Sequence, residues 1–161
     1  MKPKQMISAL VLNRPGVLQR VCGLFGRRDY NIESITVGVA EDETVSRMVL
    51  VLCEDEVRVE QIGRRLSKLI DVIRVTHLNL MPLIAKELML IKVRAEPAVR
   101  PEIFGMAETF RCPVIDIGQH SVVIQVVGDR EKNDSFLSLL RPYGILEVTR
   151  TGETAMNREE A

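Results

Sequence analysis

The sequence predicts an α+β fold built as two tandem ferredoxin-like βαββαβ sandwiches. The hydrophobic period alternates between 2 and 3.6 in the order strand, helix, strand, strand, helix, strand. The same order then recurs, with a shift of about 81–82 positions laying the first half over the second. The 161 residues, 46% hydrophobic and 27% charged, are enough for two small cores.

Residues 6–12 form an apolar run of strand length, ended by Asn13-Arg14-Pro15-Gly16, a turn with two breakers. From Val17 onward Leu18, Val21, Cys22 and Phe25 recur at helical spacing, with Arg20, Arg27 and Arg28 on the solvated side. Residues 32–39 alternate, Ile35, Val37 and Val39 on one face and Ser34, Thr36 and Gly38 on the other, as a half-buried strand does. Glu41-Asp42-Glu43 makes a hairpin tip, and residues 48–53 return as a strongly apolar strand. Glu54-Asp55-Glu56 places acid at a helix N-terminus, where the dipole favours it. Ile62, Leu66, Leu69 and Ile70 make the stripe of that helix, and residues 72–78 close the half.

After a connector over residues 79–86, the second half repeats the plan. Residues 88–93 are a strand, and Glu96-Pro97 breaks it. Ile103, Ala107 and Phe110 mark a helix. Residues 114–117 and 122–127 are strands around Gly118-Gln119-His120-Ser121. Phe136, Leu137 and Leu140 mark the next helix, and residues 145–149 the last strand. From Gly152 onward no buried pattern is visible, so this end is expected to fray or dock elsewhere. Domains are therefore expected at residues 5–79 and 86–150, with a tail at 151–161.

Composition narrows the function by exclusion. The 22 basic and 22 acidic residues cancel, whereas a general grip on nucleic acid needs clustered positive charge. The local excess of Arg14, Arg20, Arg27 and Arg28 reads as a solvated helix face. No apolar run approaches the ~18–20 residues of a membrane span. The N-terminus does not read as a signal peptide, so the expected address is cytoplasmic. The three cysteines are widely spaced, which supports neither a disulfide framework nor a thiolate zinc site; Cys22 and Cys53, inside apolar patterns, are expected to be buried thiols. Neither His77 nor His120 has a carboxylate or Cys at ligand spacing, and neither a nucleophile elbow nor a phosphate loop is present. No metal site and no catalytic constellation follow.

Function is expected where the two copies diverge. The second-half counterpart of Asn13-Arg14-Pro15-Gly16 is Arg94-Ala95-Glu96-Pro97, which lacks both Asn and Gly. Glycine lets backbone approach a ligand closely, and the first amides of the following helix have no internal acceptor, so the first loop offers a cradle for a carboxylate. Asn13, and Asn31 before the second strand, each offer a donor and an acceptor to a zwitterion. Pro113 aligns with Asn31, and Glu96 would repel an anion. The same Asn-x-Pro-Gly turn is also an ordinary way to stop a strand and cap a helix, so both readings stay open on these residues alone.

Longer motifs add a resemblance. The βαββαβ plan with Asn-Arg-Pro-Gly-Val-Leu at 13–18 resembles an ACT domain, a regulatory module that binds small molecules, often amino acids. Arg-Asp-Tyr-Asn-Ile-Glu-Ser-Ile-Thr-Val at 28–37, Leu-Ile-Asp-Val-Ile-Arg-Val at 69–75, Lys-Glu-Leu-Met-Leu-Ile-Lys-Val at 86–93 and Glu-Val-Thr-Arg-Thr-Gly at 147–152 are similar to the small regulatory subunit of acetolactate synthase (acetohydroxyacid synthase). Ala-Met-Asn-Arg at 155–158 extends the match, which runs over about residues 5–158.

The resemblance implies a chain without chemistry or cofactor of its own. It implies a catalytic large subunit that carries thiamine diphosphate, Mg and FAD, is activated by this chain, and is feedback-inhibited by valine or a related branched-chain amino acid. It also implies a homodimer through the N-terminal ACT domain. The effector is then held by Asn13, Pro15 and Gly16 and by Asn31 of the partner, with the amides of Val17 and Leu18 and the side chain of Ile32 as neighbours. Two positions depart from the family pattern: Asp29 replaces a usual Gly, and Gly38 a common Ala. A free-standing tandem ACT sensor of amino acids shares the loop without the C-terminal match. An acylphosphatase uses the same sandwich with Arg and Asn, but the duplicated length and the Pro in the loop argue against it.

Overall fold

The computed structural model describes residues 1–158. Two units are present, one comprising Met1–Ile84 with the residues from Glu153 on, the other Ala85–Gly152. The first half runs β1 (Lys4–Leu12), α1 (Val17–Gly26), β2 (Ser34–Val39), β3 (Val45–Cys53), α2 (Glu56–Leu66) and β4 (Val72–His77). The chain then repeats the order in β5 (Leu83–Arg94), α3 (Arg100–Thr109), β6 (Val114–Ile117), β7 (Ser121–Gly128), α4 (Arg130–Leu140) and β8 (Ile145–Asn157). The strand orders, β2-β3-β1-β4 and β6-β7-β5-β8, are the same permutation. Each half is thus an α+β ferredoxin-like sandwich, with a sheet whose inner face meets two helices.

Each core follows from strand alternation against a helical stripe. Ile7, Ala9 and Val11 of β1 and Met48, Leu50 and Leu52 of β3 meet Val21 and Phe25 of α1 and Ile62 and Leu66 of α2. Met89, Ile91 and Val93, with Val122, Ile124 and Val126, meet Ile103, Phe136 and Leu140 in the same way. Full burial of such side chains contributes about 1.5–3 kcal/mol each before chain entropy is subtracted.

The repeat is clearest at helix ends. Asp55 and Asp129 cap α2 and α4, each side chain accepting from the amide three residues on, that of Arg58 or Lys132. After α1 and α3 the chain turns through Asp29 and Arg111, both at φ 56. The amides of Tyr30 and Cys112 then close onto the carbonyls of Phe25 and Ala107. Asp29 and Arg111 stand 82 positions apart, but Asp55 and Asp129 only 74. A single shift of 81–82 therefore fails past the hairpin, because the β6–β7 hairpin is shorter than β2–β3.

Several elements differ from the sequence reading. Helix α1 buries Val17, Val21, Leu24 and Phe25, leaving Cys22 and Leu18 exposed. The apolar residues of this helix span two overlapping stripes, and packing selects the bulkier set. Cys53 is also exposed, at the end of β3, with its thiol donating to Glu33 Oε2 at 2.9 Å. Cys112 is the buried thiol, and loss of solvation pushes its pKa up. Helix α2 stops at Leu66, so Leu69 packs on the core from the following turn and Ile70 is 93% exposed. Strand β2 begins at Ser34, two residues later than expected, and β5 begins at Leu83 inside the expected connector.

The expected tail is mostly strand. β8 continues to Asn157, with Glu153 buried and paired to Lys4, and Ala155 buried. Asn157 Nδ2 donates to the Leu78 carbonyl at 2.8 Å, and the Arg158 amide to that of Pro82 at 2.9 Å. These are polar and backbone bonds, which leave no hydrophobic period to read. Positions 159–161 of that tail lie outside the described residues.

Gly63 shows how closely α2 meets β4. A Cβ there would lie 2.3 Å from His77 Nε2, so the imidazole rests where a side chain would stand. Gly63→Ala is expected to destabilise the protein by about 1–3 kcal/mol. In a His77→Ala background the same change should instead stabilise by about 0.5–1 kcal/mol, from helix propensity alone. Denaturant unfolding of the four variants of this cycle checks the reversal of sign.

Candidate functional site

Strand β1 ends against the β2–β3 hairpin, and that junction positions the first loop. The Asn13 amide donates to the Thr44 carbonyl at 2.8 Å, and Asn13 Nδ2 to the Glu43 carbonyl at 3.0 Å. The hairpin is itself ordered by charge. The Thr44 amide, and after it the Thr44 hydroxyl, hold the Asp42 carboxyl below its usual pKa. The Glu41 carboxyl is lowered by a backbone amide and then by Arg47. One Asn13 N–H is thus committed to the hairpin, while Oδ1 and the second N–H face outward from an exposed residue.

Three residues later Gly16 is the N-cap of α1 at φ 85, with no side chain capping the helix. The Val17 amide makes a long bond to the Arg14 carbonyl, 3.4 Å. Within the described residues the amides of Gly16, Leu18 and Gln19 meet no acceptor. Val17 points into the core, so only its backbone borders the loop, whereas Leu18 is 46% exposed at the helix start. Pro15 is exposed beside them.

Two residues that the sequence reading did not assign to the site complete this corner: Asp71, and Arg20, which was expected to be part of a solvated helix face. Arg20 Nη1 lies 3.1 Å from where a Gly16 Cβ would stand. Asp71 holds that guanidinium, accepting from Nε at 2.7 Å and pairing with Nη2 at 2.6 Å, while its carbonyl accepts from the Leu12 amide. The one signal was a cation in the first turn of a helix without acid there, which is unfavourable unless something offsets it. Asp71 gave no signal, because its partners are more than fifty residues away in sequence.

Asn31 and Ile32 lie elsewhere. Ser34 pairs with Val51 and Val51 with Met6, whereas Asn13 follows Leu12, which pairs with Val45. Asn31 precedes Ser34 and so lies beyond the Met6 end of the sheet. The six strand residues between those levels separate it from Asn13 by at least about 20 Å within one chain. Asn31 is exposed, and Ile32 packs against the first core, so its side chain does not border the loop. The outer edge of β2 is unpaired, with Val37 and Val39 47% and 62% exposed.

The second loop is filled by its own chain. The Ala95 amide donates to the His120 carbonyl as that of Asn13 does to Thr44, but Ala95 is buried. Arg100 reaches across, with Nε to the Ala95 carbonyl at 2.9 Å and Nη2 to those of Gly118 and Gln119 at 2.7 and 2.6 Å. Glu96 pairs with His120 Nδ1 at 3.0 Å. Among the described residues no group of three His, Cys, Asp or Glu could hold a metal, and no helix is long and apolar enough to cross a membrane.

Residues 7–74 match the family model of the AHAS small subunit-like ACT domain, and residues 86–159 that of the small subunit of acetolactate synthase. The acetolactate synthase small subunit of Bacillus subtilis is 47% identical over 96% of this chain and 91% of its own length. The chain belongs to the acetolactate synthase small-subunit family. A probable acetolactate synthase small subunit of Archaeoglobus fulgidus is 45% identical over 96% of this chain and 97% of its own. The crystal structure of the Thermotoga maritima acetolactate synthase small subunit matches 99% of both chains, with a TM-score of 0.91 and 38% identity.

The resemblance led to an expectation of glycine at position 29, and the φ of 56 at Asp29 gives that expectation a physical reason: the turn out of α1 requires the left-handed region. Asp29→Gly is expected to stabilise the protein by about 0.5–1 kcal/mol, read as a rise in the midpoint of chemical unfolding.

Proposed function

We propose that this chain is a non-catalytic regulatory subunit that activates an acetolactate synthase catalytic subunit and makes it sensitive to valine or a related branched-chain amino acid. One observation carries the reading. At the same place in a repeated fold, the first loop has a left-handed glycine with a guanidinium beside it at a helix start, while the second has a right-handed Val99 and a guanidinium, that of Arg100, committed to the loop's own carbonyls. Free amides at a helix start beside a guanidinium suit an α-carboxylate. The outward atoms of Asn13 suit an α-ammonium, and exposed Leu18 suits a short aliphatic side chain.

A homodimer supplies the rest of the site. If β2 pairs antiparallel with its own copy, the start of one β2 comes beside the end of the other. That brings Asn31 and the backbone of Ile32 from one protomer toward Asn13, Pro15, Gly16, Val17 and Leu18 of its partner. The register supports this, since within one chain these groups sit at opposite ends of the sheet. Thiamine diphosphate, Mg and FAD belong on this reading to the catalytic subunit, and the complex works in the cytoplasm. Effector bound across two chains shifts activity only by its differential affinity for active and inhibited arrangements, typically ~1–3 kcal/mol.

The test mixes this chain with the catalytic subunit of the same organism and measures acetolactate formation with and without each branched-chain amino acid. Gly16→Asp places a side chain at a positive φ, with its Cβ 3.1 Å from Arg20 Nη1, and its carboxylate fills the cradle. It is expected to weaken inhibition by about tenfold or more while activation stays near wild type. Inhibition of that variant at the wild-type effector concentration would rule out the loop as the site.

A further inference from the structure

The C-terminal ends of α1 and α2 meet at an open cleft of about 420 Å³ lined by Leu24, Arg27, Arg28, Arg65 and Lys68, with no carboxylate among them. Neighbouring cations on the same helices have partners: Arg20 pairs with Asp71, Arg58 with Glu54, and Arg64 with Glu60. The four that line the cleft make no ion pair among the described residues, and Arg65 reaches only the Tyr30 hydroxyl, at 3.4 Å. We propose that this cleft is the surface on which an acidic segment of the acetolactate synthase catalytic subunit docks, an inference that rests on the functional reading above.

Divergence between the copies points to function here rather than to the fold. Aligned through the repeated helix ends, the counterparts of Arg27, Arg28, Arg65 and Lys68 are Thr109, Phe110, Leu139 and Pro142. The same sandwich therefore closes without a single one of these charges. Four unpaired cations around one cleft repel one another, and an opposing acidic surface relieves that repulsion while steering association.

The floor decides between a protein surface and a small anion. Both helices present their C-terminal ends here, so the nearby backbone groups carry negative partial charge. None of the residues that line the cleft belongs to a helix N-terminus, so no array of helix-start amides is offered to a small anion there. Cations on long side chains around such a floor instead reach outward, to carboxylates that stay on another molecule. Leu24, largely buried, lines the cleft and offers that segment a small apolar contact.

The experiment uses the full chain with its catalytic subunit. Arg27→Glu with Lys68→Glu, and separately Arg27→Ala with Lys68→Ala, are titrated against the catalytic subunit at low and high salt, with activation and direct binding as readouts. The charge reversal is expected to weaken the complex by about tenfold or more, and the alanine pair by less, each with a shallower salt dependence than wild type. Thermal unfolding and homodimer mass are expected to match wild type, and the alanine pair gives the answer if the reversal misfolds. Wild-type affinity and salt dependence in the folded variants overturn the proposal alone. So does inorganic phosphate, if it raises the unfolding temperature of wild type but not of the variants, since the cleft is then a small-anion site. A wild-type chain that fails to bind the catalytic subunit overturns this proposal and the functional reading together.

Discussion

The first half turns on the reversal from β1 into α1, which is completed within four residues. Such a turn needs a residue at positive φ immediately before the helix, and Gly16 supplies it at φ 85. The phase of α1 follows: Val17 enters the core, and Leu18 faces out. Gly16 also leaves space that the Arg20 guanidinium borders, and the helix begins without a capping side chain. Asp71 locks both sides of the corner, its carbonyl on β1 and its carboxylate on α1.

The second half shows what the same frame does under a different constraint. Val99, in the right-handed region, takes the place of the left-handed glycine as the N-cap of α3. Arg100 spans to three carbonyls of the neighbouring turns, so a guanidinium of this half is spent on tying its own loop together. Buried polarity has moved as well. Asn133 of α4 donates to the carbonyl and carboxylate of Glu87, which Arg150 also contacts, where the aligned position in α2 is the core residue Val59. Two copies of one sandwich thus differ in which places are packed and which stay available to another molecule.

Much of the fold was legible because its signals are local. Strand alternation, the acid before α2 and the breakers after β1 mark elements without reference to the rest of the chain. The phase of α1 was not, since Val17, Leu18, Val21, Cys22, Leu24 and Phe25 allow two stripes and only the sheet beneath selects one. The strand beyond Gly152 was hidden for another reason: Lys4, Leu78 and Pro82 hold it by charge and backbone bonds that leave no period. In the candidate site Asn13 and Gly16 stood out by their contrast with the second half. Arg20 and Asp71 did not, because their meaning lies in a contact across more than fifty residues.

By itself the sequence determined the duplicated α+β plan, the family, and the loop at which the halves part company. These rest on residue types and on spacings within a few turns or strands. Tertiary structure decided which cations are paired and which line an open cleft, and it closed the second loop with Arg100. It also set Asn13 and Asn31 at opposite ends of one sheet, which no spacing in sequence expresses. The physical reason is common to all three: each depends on pairing register and on distances between segments remote in the chain, and those exist only once both cores have formed.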